Sequence, residues 1–95
     1  MVGQQDSAVM EEDADRFFEL VDARRADRPD LTPIEAAILV AAEQGIASDS
    51  RTFARKMGLA HALVLREVDT LVEDRGLLQI VKRDARTMRI FYSAT

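Results

Sequence analysis

The chain has 95 residues, 47% apolar and 32% charged, a composition that suits one globular core and lies far from that of disordered chains. It contains no cysteine, which excludes disulfides, thiolate metal sites and a nucleophilic thiol. A net charge of -4 speaks at first against nucleic acid as a partner, because phosphate contacts need Lys and Arg.

That charge is divided along the chain. Residues 1–47 carry four Arg against eleven acids, net -7, whereas residues 48–95 carry nine Lys and Arg against six acids, net +3. The local field decides what a surface attracts, so an anionic partner is expected on the second half. No stretch approaches the roughly 18 apolar residues of a membrane helix. Residues 1–13 have neither the basic nor the apolar region of a secretory signal, so a soluble, cytoplasmic protein is expected.

In chain order, residues 1–12 hold Gly3, Gln4, Gln5 and an acidic run without periodicity, and are predicted to be a disordered acidic N-terminus. Residues 13–95 form a single predicted domain. The spacing Ala14, Phe17, Phe18, Val21 predicts a helix over 13–28, with Glu11 to Asp15 at the positive end of its dipole and Pro29 as its stop. Thr32-Pro33-Ile34-Glu35 is a capping box with proline at the first helical position, and it opens a helix over 32–44 that Gly45 ends. Its stripe Ile34, Ala37, Ile38, Ala41 is backed by Leu39, Val40 and Ala42, so the helix is either central in the core or packed on a second subunit.

Ile46 allows a strand of one or two residues, and Ser48, Asp49 or Ser50 can cap the next helix. That helix turns Phe53, Ala54 and Met57 inward and ends at Gly58. Only Leu59 and Ala60 separate it from a following helix, which carries Val64, Val68, Leu71 and Val72 on one face and stops at Gly76. Two helices joined by so short a Gly-containing turn make residues 48–76 a helix-turn-helix. From Leu78 the period becomes two, as Leu78 and Ile80 alternate with Gln79 and Val81, and later Met88, Ile90 and Tyr92 with Arg89, Phe91 and Ser93. Between them Lys82 to Thr87 is a polar loop, so residues 77–95 read as a hairpin with a basic tip. Tyr92 is expected to pack with its hydroxyl at the rim. The predicted fold class is mainly α with a small β-hairpin wing, a winged helix-turn-helix with an additional N-terminal helix.

Ala54-x-x-Met57-Gly58-Leu59, Val64-x-x-x-Val68-x-x-Leu71, Gly76-Leu77, Asp84-x-Arg86-x-x-Arg89 and the closing Ser93-Ala94-Thr95 together resemble the MarR family of winged-helix transcription regulators. The likeness spans Thr32 to Thr95. It implies a sequence-specific regulator docked on double-stranded DNA, with the second helix of the motif in the major groove. His61, Ala62, Leu65 and Arg66 would then face base edges, Arg86 would reach phosphate or minor groove, and Asp84 would orient that arginine. Arg offers a fork that binds guanine bidentately, and a narrow minor groove attracts it electrostatically. Arg51, Arg55 and Lys56 would hold flanking phosphates, and Lys82, Arg83 and Arg89 add to the basic wing. The resemblance is to a short form without the family's C-terminal dimerisation helix, so a homodimer is expected through Phe17, Phe18, Val21 and the 32–44 helix.

Other readings stay open at these positions. Arg66 is also placed to be the i, i+3 partner of Asp69, and Arg86 to be a solvated turn residue. His61, the sole histidine, suits a plain surface position and lacks the companions of a metal ligand. Ala60, Ala62, Leu63 and Leu65 leave few polar groups for bases, and Asp69, Glu73 and Asp74 follow on the same helix. A winged-helix module that binds protein rather than DNA is therefore the alternative. The four glycines stand apart, each remote from any phosphate-binding or nucleotide fingerprint, so neither catalysis nor a cofactor is expected.

Overall fold

The computed structural model describes the backbone of residues 2–95 and the side chains from Ala14 onward. It is mostly helical, with one two-stranded antiparallel hairpin. The helices are α1 (Val2–Asp27), α2 (Pro33–Glu43), α3 (Ser50–Met57) and α4 (His61–Asp69), the last continued by a π-helical turn over Thr70–Asp74. The strands are β1 (Leu78–Asp84) and β2 (Arg89–Ala94).

Helix α1 begins at Val2, eleven residues before the start that the apolar spacing marks, and so runs through the segment predicted to be disordered. Gln, Ala, Met and Glu dominate that segment and no proline interrupts it, so backbone helix propensity extends beyond the first buried position. The side chains of that acidic N-terminus lie outside the described residues. Phe17 and Val21 turn into the core, while Phe18, edge-on to Phe17 with ring centroids 5.6 Å apart, stays 59% exposed.

The capping box of α2 forms as spaced. Glu35 N donates to Thr32 Oγ1 at 3.1 Å, and Thr32 N donates to Glu35 Oε1 at 2.8 Å. At the other end Gly45 adopts φ 71°, which lets Ile46 N reach back to Ala41 O at 2.8 Å. Ala36, Ile38, Leu39, Val40 and Ala41 are all buried within this one chain. The apolar faces of α2 are therefore covered by α1, α4 and β2, and α2 takes the central position of the two that the sequence allows. Ile34, Ala37 and Ala42 on this helix are half-buried.

Of the three candidate caps, Asp49 serves α3: its Oδ2 accepts from Thr52 N at 2.9 Å. Helix α4 follows Ala60, which gives it no side-chain cap. Near its end Thr70 Oγ1 donates to Arg66 O at 3.2 Å, and the backbone widens until Arg75 N bonds Thr70 O at 3.0 Å. Gly76 then reverses the chain, with Leu77 N returning to Leu71 O at 2.9 Å.

The hairpin is longer than its alternation suggests. Lys82, Arg83 and Asp84, predicted to be loop, pair with Phe91, Ile90 and Arg89, and the turn is only Ala85 to Met88. A bulge at Val81 resets the alternation, which hides the strand from a period-two reading. Met88 closes the turn at φ 63°. The short strand expected at Ile46 lies instead at Asp49, which bridges to Phe91, with Tyr92 N donating to Ser48 O at 3.0 Å. Ile46 N and Ala47 N are both held by Ala41 O and have nothing to offer a ladder.

Phe53, Leu31, Ile38, Leu39, Val64, Val68, Leu71 and Leu78 form the fully buried centre. Tyr92 joins them, and its hydroxyl is buried without a partner rather than placed at the rim. Burial, with Asp49 adding to it, pushes the phenol well above its ordinary range. Among the described residues no helix is long and apolar enough to cross a membrane.

Candidate nucleic-acid interface

The surface proposed from sequence is built where α3, α4 and the hairpin meet. Four residues make that joint: Asp49, Ser50, Arg51 and Arg89. Asp49, while capping α3, lies 3.3 Å from Arg89 Nε. Burial on its own would raise the pKa of this carboxyl, but hydrogen bonding by Thr52, the charge of Arg89 and the Arg51 backbone N–H outweigh it and hold it below the usual value. Arg89 also stacks over Phe91 at 5.8 Å, and its Nε is buried without a well-formed hydrogen bond. Its side chain, 35% exposed, pairs with Asp49 and lies over Phe91, so it is only partly open to a phosphate.

Arg51 is exposed, and it is also held by bonds within the chain. Its Nε and Nη2 donate to Thr87 O at 3.3 and 3.1 Å, tying the first turn of α3 to the hairpin turn. Ser50, fully buried, accepts from Ile90 N at 3.0 Å and meets His61 Nε2 at 2.8 Å. One hydroxyl thus links α3, β2 and the first residue of α4.

The other cations face solvent as Arg51 does. Arg55 and Lys56 occupy the last turn of α3, where they also complement the helix dipole. Arg66 is exposed on α4 and, among the described residues, forms no ion pair with Asp69 or any other acid. Lys82, Arg83 and Arg86 are exposed on the hairpin, with Lys82 Nζ 5.8 Å from the Phe91 ring. Asp84 Oδ1 accepts from the backbone N of Arg86 at 3.0 Å, so it shapes the turn that carries Arg86 and does not grip the guanidinium.

On α4, Ala62 is exposed, while Leu65 is half-buried and lines a cleft of about 280 Å³ between the helix and the hairpin. Met88 and Ile90 line its far wall, with Asp69, Asp84, Arg83 and Arg89 beside them. Leu65 lines the α4 side of this cleft, and Ala62 and Arg66 are the fully exposed candidates on α4, with His61 half-buried.

Two contributors were not visible in sequence as parts of a site. Ser50 showed only as one of three possible caps, and nothing in a linear reading pairs it with Ile90 forty positions on. Arg75 carried no signal at all, yet it anchors the far end of α4. No family model, curated protein or solved structure matches this chain.

Proposed function

We propose that the chain is a DNA-docking transcriptional regulator of MarR-like winged-helix type, with α4 as the recognition helix and the β1–β2 hairpin as the wing. The observation that carries this reading is the joint itself. Ser50, Arg51 and the Asp49–Arg89 pair join α3, α4 and the hairpin into one unit, and Arg51, Arg55, Lys56, Arg66, Lys82, Arg83 and Arg86 are all exposed. A rigid helix-and-hairpin unit with unpaired cations on each of its elements suits a surface that must follow a duplex backbone.

Phosphate contact by Arg55, Lys56 and the hairpin cations fixes register, and Arg66 with Ala62 meets base edges, the alanine suiting a thymine methyl. His61, Arg51 and Arg89 join the elements of the unit, and exposed Arg51 stays available to a flanking phosphate. A homodimer on a pseudo-palindromic site accords with this reading, and exposed Phe18 is the apolar group on α1 that a second copy would cover.

Selection from a random duplex pool at low salt tests the proposal directly. An enriched duplex whose affinity falls on the order of a thousandfold between 50 and 200 mM salt is the expected result for about six phosphate contacts. If no duplex is enriched, DNA docking is wrong. A second reading, a winged-helix module that binds protein, is favoured by exposed Asp69, Glu73 and Asp74 on and beyond α4, which repel phosphate. It predicts no enrichment at any salt concentration.

A further inference from the structure

The Ser50 hydroxyl has two neighbours and one proton. Ile90 N–H must donate to Ser50 Oγ, since the oxygen is the acceptor that a backbone amide requires. The hydroxyl proton then needs an acceptor of its own. Ser50 is fully buried, and among the described residues the only group left within reach is His61 Nε2 at 2.8 Å. If Nε2 carried a proton instead, the serine O–H would be buried without a partner, a costly state that buried polar groups avoid. The proton of the neutral imidazole is thereby assigned to Nδ1. That atom has no hydrogen-bond partner among the described residues and is not fully buried, so it retains access to solvent.

We propose that Ser50 is a positioning residue that holds His61 as the neutral Nδ1–H tautomer at the head of α4, so that the outward N–H donates to a phosphate oxygen of the bound duplex. This rests on the DNA-docking reading and adds to it a named contact and the residue that prepares it. The charged surroundings agree with the neutral form. Arg51 from α3 and Arg89 from β2 oppose a second proton on the ring, and Asp49 from the segment before α3 only partly offsets them. Burial, the largest influence, acts in the same direction as the two arginines and holds the imidazole pKa below its ordinary value. A donor set by a tautomer, unlike an imidazolium, keeps its hydrogen bond as pH rises above neutrality.

Imidazole nitrogen NMR on the full chain, free and with the selected duplex, tests this. At pH 7.5 the wild type should show the Nδ1–H pattern, and that spectrum needs no variant. Ser50→Thr, which keeps the hydroxyl, should retain the pattern; Ser50→Ala should lose it and weaken duplex binding roughly threefold to tenfold, the size of one hydrogen bond. Adding duplex should shift the Nδ1 resonance and slow exchange of its proton, and wild-type binding should stay level from pH 7 to 8.5. An Nε2–H pattern in the free wild type overturns the proposal. Duplex binding that leaves the His61 nitrogens unmoved overturns it too, with DNA docking intact. Failure to bind any duplex overturns both readings together.

Discussion

Arg75 Nε donates to the carboxylate of Glu35 at 3.3 Å, across forty residues of sequence. Glu35 is 1% exposed, and its other oxygen accepts from Thr32 N at 2.8 Å, so one side chain both starts α2 and receives the chain leaving the π-helical turn. Arg75 adds bonds to Asp30 Oδ2 and Asp30 O, each at 3.0 Å. The pose of α4 on the body is set at this end by charge and at the other by the Ser50 hydroxyl.

Removing the guanidinium leaves a buried carboxylate with only a backbone N–H for company. Arg75→Ala should therefore lower the urea midpoint clearly, and more than the removal of exposed Lys56. Glu35→Gln combined with Arg75→Ala should lose less than the two single changes added together, because the pair acts as one unit. Equilibrium unfolding of the four proteins measures this. Additive losses would mean that the pair is not coupled.

Arg86 sits on a turn shaped by Asp84 and has its guanidinium exposed. On the DNA-docking reading, Arg86→Ala should reduce the slope of log affinity against log salt by about one unit while leaving sequence preference alone. Arg66→Ala should weaken the best duplex by about 1–3 kcal/mol and flatten preference at one or two positions. Titration of selected and scrambled duplexes at several salt concentrations separates the two. Equal effects of both changes on all duplexes would remove Arg66 from the base-reading set.

The Asp49 carboxyl, held below its ordinary pKa, contributes stability that is fully present above about pH 4 and is lost as pH falls through the depressed folded value. Asp49→Asn keeps a good N-cap but should lack this part of the acid limb, and Asp49→Ala should cost about 1 kcal/mol or more at neutral pH through the lost cap. Thermal melts from pH 7 down to pH 3 should show the wild type and Asp49→Asn converging at the acid end. Parallel curves throughout would show that Asp49 does not titrate in folding.

Tyr92 carries a buried hydroxyl without a partner, and its ring does the packing. Tyr92→Phe should then be neutral or raise stability by about 1 kcal/mol, whereas Phe53→Ala, at the fully buried centre, should lose about 3–5 kcal/mol. Urea midpoints check both. A clear loss for Tyr92→Phe would mean that the hydroxyl has found a bonding partner.

Phe18 is 59% exposed on α1 while its neighbour Phe17 is buried. If a second copy covers it, Phe18→Lys should shift sedimentation from dimer to monomer at micromolar protein without changing the melting temperature of the monomer unit. A chain that is monomeric with Phe18 in place argues against a seam there.

Much of the architecture was legible in local signals. The Thr32–Glu35 capping box, the glycines at 45, 58 and 76 with φ near 70°, and the stripes Val64, Val68, Leu71 and Leu78, Ile80 each report a conformation through neighbours a few positions away. The readings that shifted involved partners far along the chain or an interrupted period. Lys82 to Asp84 joined β1 because the bulge at Val81 broke the alternation, and α1 lengthened because apolar spacing marks burial rather than helix.

The candidate site divides along the same line. Its stock of cations, their concentration in residues 48–95 and the turn chemistry around Asp84 are properties of composition and short spacing, and these the amino-acid order carries on its face. Which cations stay open is another matter. Arg51 donates to Thr87 O, Arg89 pairs with Asp49, Leu65 lines the cleft between α4 and the hairpin, and Ser50 Oγ meets His61 Nε2. Each of those outcomes pairs groups eleven to forty residues apart or packs one element on another, so only the folded chain, by bringing them within hydrogen-bond and contact range, could decide them.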